Sequence, residues 1–110
     1  MKDATNTKTV DLTGTQDPAR WRAVRVAITG GTAGLGLALL NTLLDHGAKV
    51  AFVARNREGV ESLARQRPES RGIVGDVSRK EDIYPIALQI VGALGGLDIL
   101  INNEIGRAHV

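Results

Sequence analysis

One turn constrains this chain more than any other feature. Thr29-Gly30-Gly31-Thr32-Ala33-Gly34-Leu35-Gly36 follows a short apolar run, Val24 to Thr29, and opens a strongly apolar stretch, Leu35 to Asp45. In that stretch Leu35, Leu39, Leu40, Leu43 and Leu44 recur at helical spacing. A strand must therefore stop abruptly and a helix must start within a few residues. Gly30 permits the tight turn, Gly34 lets the backbone approach a ligand, and Gly36 lets the helix pack closely on the strand. A helix N-terminus offers unbonded N–H groups and a partial positive charge, so the natural occupant is an anion such as a pyrophosphate. A turn that merely links strand to helix is the plainer alternative. Its position, straight after a strand and opening an apolar helix, favours the anion.

The rest of the chain repeats the alternation. His46-Gly47 offers the first helix a left-handed stop, and Lys49 to Ala54 reads as a second buried strand. Asn56 can cap a second helix, with Val60, Leu63 and Ala64 as its apolar stripe and Glu61 and Arg65 paired on its wet side. Pro68 ends it. Ile73 to Val77 is a third strand, and Ser78 with Glu81 has the spacing of a capping box. Ile83, Ile86, Ala87, Ile90, Val91 and Leu94 then keep a helical period, in which Pro85 should delay the helix or bend it. Gly95-Gly96 closes this helix, and Leu97 to Ile101 is a fourth strand. Near-continuous apolar strands alternating with helices indicate a parallel sheet covered on both faces. With right-handed crossovers the expected class is α/β, a doubly wound parallel sheet. Met1 to Arg20 is polar and aperiodic and reads as a flexible extension, with Trp21 marking the start of order by packing over the sheet edge.

Composition narrows the functions. A chain of 110 residues makes one domain, and with one Phe, one Trp and one Tyr its core must be aliphatic. Cysteine is absent and His46 and His109 are far apart, so neither disulfides nor a metal site is expected. The net charge of +2 comes from scattered residues with no aromatic platform, which argues against nucleic acid. No run reaches the ~18 apolar residues of a membrane span, and the N-terminus lacks the apolar core of a signal peptide. A soluble, cytoplasmic protein is the expectation.

The glycine turn reads T-G-x-x-x-G-x-G from Thr29 to Gly36, and in this it resembles the short-chain dehydrogenase/reductase family. Asp76-Val77 matches that family's acidic-apolar pair, which contacts the adenine ring, and Asn102-Asn103 matches the first half of its Asn-Asn-Ala-Gly motif. The resemblance covers residues 24 to 103. Extended-type relatives, with T-G-x-x-G-x-x-G, do not fit the spacing of Gly34 and Gly36. The resemblance implies a Rossmann-like fold that binds NAD or NADP. It marks Thr29, Gly30, Thr32, Gly34, Leu35, Gly36, Arg55, Asp76, Val77 and Asn102 as cofactor contacts.

An acid at the end of the second strand would hold the adenosine ribose and favour NAD. Ala54 stands there instead, followed by Arg55 with Arg57 close by. A guanidinium at that place suits a 2′-phosphate, so NADP is expected rather than NAD. Against this, Ala33 gives the turn no basic residue of the kind many NADP-dependent members carry.

The family's chemistry is hydride transfer between nicotinamide and a carbonyl or alcohol, with a Tyr-x-x-x-Lys pair and an upstream Ser beyond the fourth strand. The one tyrosine, Tyr84, is followed four places on by Leu88 and reads as half-buried packing; Ser78 reads as a cap. No catalytic residue is assigned. The chain is expected to be the cofactor half of an oxidoreductase, truncated after its fourth strand and inactive alone. Its parent would be a homo-oligomer acting on a small carbonyl or alcohol. The alternative is a non-catalytic NADP-binding or sensor protein. In place of the family's Ala-Gly stand Glu104 to Val110. Ile105-Gly-Arg-Ala-His-Val110 followed by a stop is one reading frame of a common short-read sequencing adapter. Residues 104–110 are therefore expected to be non-native, with Ala in place of Glu104.

Overall fold

A computed structural model of the chain describes residues 21–103. The expected N-terminal extension and the expected non-native tail lie outside these residues. The elements are β1 (Arg25–Thr29), α1 (Gly34–Asp45), β2 (Lys49–Ala54), α2 (Arg57–Gln66), β3 (Arg71–Val74), α3 (Lys80–Leu94) and β4 (Ile99–Asn102). The four strands form one parallel sheet in the order β3-β2-β1-β4. The chain steps outward from β1 to β3, then α3 carries it back across β1 to β4. That reversal puts the switch point of the sheet between β1 and β4, where open α/β sheets leave a crevice at the C-terminal strand ends.

Alternate residues of the central strands feed two cores, because successive side chains of a strand point to opposite faces. Val26, Ile28, Val50 and Phe52 pack with Leu40, Leu43 and Leu44 of α1 and with Val60 and Leu63 of α2. Trp21 joins this layer and does not merely cover an edge. Ala27, Ala51, Val53 and Ile73 on the other face meet Ile86, Ile90 and Leu94 of α3. The arrangement is the doubly wound α/β sheet expected from the alternation.

Local chemistry explains most boundaries. Gly47, at φ +92°, turns the chain out of α1. The side chain of Asn56 accepts from the N–H of Gly59 at 3.0 Å and caps α2. Gly95, at φ +80°, ends α3. Far below the switch point, Arg25 grips Asp98 through Nε and Nη2 at 3.0 and 2.9 Å, tying the first residues of β1 to β4. That guanidinium holds the Asp98 carboxyl down to about 2.

Five local expectations differ from the structure. β3 begins earlier, at Arg71, and ends at Val74, because β2 stops at Ala54, opposite Val74. Only the N–H of Gly75, bonded to the carbonyl of Ala54, continues past it. β4 is shifted the other way, since Asp98 is engaged by Arg25 while Asn102 still pairs with Thr29. The Ser78–Glu81 capping box does not form. The hydroxyl and N–H of Ser78 both donate to Oδ1 of Asp76, at 2.6 and 2.9 Å, and the helix starts beyond Arg79 with no side-chain cap. Of the two effects expected of Pro85, a delay or a bend, the delay does not occur, since α3 begins at Lys80; Tyr84 is 71% exposed, not half-buried.

Candidate functional site

The glycine turn joins the end of β1 to the start of α1, at the switch point. Gly30 sits at φ +74° and its N–H donates to the carbonyl of Val53 at 2.7 Å, which anchors the turn to β2. Gly34 adopts φ +60°, and a Cβ there would meet no atom of the described residues within 4 Å outside its own chain neighbours and helix backbone. Backbone conformation and open space therefore both suit a ligand lying against Gly34. At Gly36 the opposite holds: a Cβ would strike the carbonyl oxygen of Gly30 and the side-chain nitrogen of Asn103. The helix can approach the strand only because Gly36 has no side chain.

Three hydrogen bonds lock the turn to the end of β4. The hydroxyl of Thr29 donates to Oδ1 of Asn102 at 2.8 Å, and the N–H of Asn103 donates to Oγ1 of Thr29 at 3.0 Å. Nδ2 of Asn103 then donates to the carbonyl of Gly30 at 3.1 Å. Buried Thr29 thus works as a latch between two strands, and Asn103 fixes the orientation of the turn's first peptide.

The start of α1 is bare of competing groups. Its N-cap is Ala33, which offers no side-chain acceptor, and its first turn contains no acidic residue. Helix-start N–H groups left without a side-chain cap are suited to an external anion. Leu35, 67% exposed, stands beside them.

A cleft of about 380 Å³ is lined by Gly30, Thr32, Ala54, Arg55 and Asn56. It joins the glycine turn to the end of β2, with Arg55 among the residues of its wall. Asp76, at the end of β3, carries a carboxyl held below the usual range. The Ser78 hydroxyl and N–H are the main cause, with smaller help from the charges of Arg55 and Arg79. The remaining candidates lie elsewhere. Thr29, Val77 and Asn102 line a second groove, of about 290 Å³, together with Ile83, Ile86 and Ala87 of α3 and Leu100 of β4. Gly34, Leu35, Gly36 and Asp76 line neither cavity. The candidates therefore flank the switch point on two sides. Glycine turn, uncapped helix start and cationic cleft wall together fit the phosphates of a dinucleotide.

Sequence reasoning missed three residues here. Gly31 is buried, and a Cβ on it would lie 2.9 Å from Cβ of Phe52, so the second glycine of the pair is needed for packing. Asn103 was assigned no contact, though its place beside Asn102 at a strand end was a signal. Asn56 was read only as a helix cap, yet it also lines the cleft.

Residues 24–106 match the family model of the short chain dehydrogenases. An oxidoreductase of Mycobacterium tuberculosis (strain ATCC 25618 / H37Rv) is 40% identical over 90 residues, covering 76% of this chain and 26% of that protein. A short chain dehydrogenase from Bacillus anthracis superposes with a TM-score of 0.71 at 30% identity, covering 78% of this chain and 37% of the other. A 3-ketoacyl-(acyl-carrier-protein) reductase from Brucella melitensis, solved with NADH, gives 0.68 at 26% identity over 72% of this chain and 33% of the other. The chain thus spans from 26% to 37% of the lengths of these proteins. With the family motifs, the switch-point turn and these likenesses in agreement, the chain belongs to the short chain dehydrogenase family.

Proposed function

We propose that residues 21–103 are the NADP-binding portion of an oxidoreductase that moves a hydride between NADP(H) and a small carbonyl or alcohol. The Brucella reductase's complex with NADH supports a nicotinamide dinucleotide. The preference for NADP rests on one observation: Arg55 lines the cleft beside Gly30, and Ala54 brings no carboxylate.

When bound, the nicotinamide supplies the hydride chemistry. The residues of this chain hold and orient. N–H groups at the start of α1 receive the pyrophosphate, and the Arg55 guanidinium forms charge-assisted hydrogen bonds with the 2′-phosphate. Asp76, kept ionised, offers an acceptor to the adenine amino group, and Val77 an apolar contact. Asn103, through Gly30, keeps the turn open for the phosphates. The hydride-transfer residues are assigned to the full-length protein, proposed to be a cytoplasmic homo-oligomer; none is assigned here.

Calorimetric titration of the chain with NADP and NAD tests this reading. NADP should bind about tenfold or more tighter, the scale of one or two charge-assisted hydrogen bonds. Arg55→Glu should abolish the difference without lowering the melting temperature. Equal or tighter binding of NAD by the unaltered chain would overturn the assignment.

A further inference from the structure

We infer that the carboxylate of Asp17 accepts a hydrogen bond from the indole N–H of Trp21, so that the folded unit begins at Asp17 and not at Trp21. Trp21 is only 9% exposed and belongs to the core layer shared with α1 and α2, yet its Nε1 has no hydrogen-bond partner among the described residues. An indole N–H can only donate, and a donor buried without an acceptor loses its hydration uncompensated. Nε1 is the one buried side-chain atom so placed among the described residues. The backbone beside it is strained as well. Ala23 holds φ +67°, a left-handed conformation that disfavours any residue with a Cβ. The N–H of Val24 donates to the carbonyl of Trp21 at 3.2 Å, and that of Ala23 to the carbonyl of Gly47 at 3.3 Å. An unpaired donor and a strained turn so close together persist only where their surroundings over-determine them. Both lie ahead of residues 24–106, so they are additions to the region that matches the family model.

The segment joined to Trp21 on its N-terminal side supplies the acceptor. Asp17-Pro18 has the order of a helix start, with Asp at the N-cap and Pro at the first helical position. Trp21, four places after Asp17, itself has 3₁₀ helical geometry. In a helical turn residues i and i+4 share a face, and long side chains lean back toward the N-terminus. The indole is thereby carried toward Asp17. A capping carboxylate uses one lone pair on a backbone N–H and keeps others for a second donor. Pro18 and Ala19 bring no polar side-chain atom and Arg20 only donors, so Asp17 is the first side-chain acceptor met before Trp21. Its charge makes it a stronger acceptor than a main-chain carbonyl.

Trp21 is the sole tryptophan, so the ¹⁵N-labelled chain gives a single indole N–H signal in NMR. Asp17→Ala should move that signal and speed its exchange with solvent about tenfold or more, the scale of one charge-assisted hydrogen bond. Asp17→Ser keeps the cap on a side chain too short to reach the indole, so it should move the signal as Ala does. It also supplies the test should the Ala variant fold poorly. Asp17→Asn keeps both the cap and a side-chain oxygen, and exchange should stay within about threefold of the unaltered chain. Deleting residues 1–16 should leave the signal in place. Melting temperatures give a second readout: Asp17→Ala should lower melting by less in a Trp21→Phe background than in the unaltered chain, because the donor is already gone. An indole signal unchanged in both the Ala and Ser variants would overturn the inference. So would a signal that moves when residues 1–16 alone are removed, or equal losses of melting temperature in the two backgrounds.

Discussion

The two faces of the sheet are built to different standards. Toward α1 and α2 the layer is closed: Phe52, Ile28, Leu40 and Val26 are fully buried, and Trp21 seals its lower end. Toward α3 the sheet presents small residues, Ala27 and Ala51, and the helix lies over β2 and β3. The β1–β4 half of that face remains a groove, with Ile83 47%, Val91 49% and Leu100 57% exposed. The turn proposed to receive phosphate leads into α1, and the cleft wall of Arg55 and Asn56 leads into α2. The glycine turn and the cleft wall are therefore mounted on the closed layer, and the groove of the open one is lined by three candidates, Thr29, Val77 and Asn102.

The largest test of that asymmetry is a pair of truncations. Phe52→Ala should cost about 3–5 kcal/mol in urea unfolding, since its ring is enclosed between Gly31, Gly72 and α2. Leu100→Ala on the open face should cost less than about 1 kcal/mol. Comparable losses would mean that the groove is as well packed as the core. Next comes the joint between the closed layer and the site. Gly36→Ala forces a methyl group against Gly30 and Asn103 and should destabilise by about 1–3 kcal/mol while weakening dinucleotide binding, read by thermal melts and titration.

A smaller and opposite effect sharpens the lower end of the closed layer. Ala23 holds φ +67° in the turn that folds Trp21 onto the core. Ala23→Gly relieves left-handed strain at some entropic cost, and a net gain of about 0.5 kcal/mol is expected in the same unfolding assay. The least effect belongs to the exposed Arg25–Asp98 pair at the edge of the open half. The folded carboxyl sits at about 2, below its unfolded value of about 3.9, so the pair stabilises the fold above about pH 4. That stability should drain away as the pH falls toward about 2, and Asp98→Asn should remove this part of the pH dependence.

Element order, the parallel sheet and the glycine turn were legible because each was written locally. The helical period of the leucines, the cap at Asn56 and the glycine stops at Gly47 and Gly95 act within a few residues. What escaped was tertiary. The end of β3 is dictated by where β2 stops, and Ser78 is taken by Asp76 rather than by its own helix. Gly31 is required by Phe52, 21 positions on, and the turn is held by Asn103, a residue of a different strand end. Exposure of Tyr84 reflects the uncovered half of α3, which a helical period cannot reveal. For the site, spacing marked the candidate residues but not that several of them divide between a cleft and a groove.

The most direct measurement is an NMR titration of the isotope-labelled chain with NADP and, separately, NAD, following backbone amides and the Asn side-chain NH₂ signals. NADP is expected to shift Gly30, Thr32, Gly34, Arg55 and Asn56 at concentrations well below those needed with NAD, while Val91, Leu97 and Leu100 stay in place. Shifts confined to the α3–β4 groove, or matching responses to the two nucleotides at Arg55 and Asn56, would contradict an NADP site mounted on the closed layer.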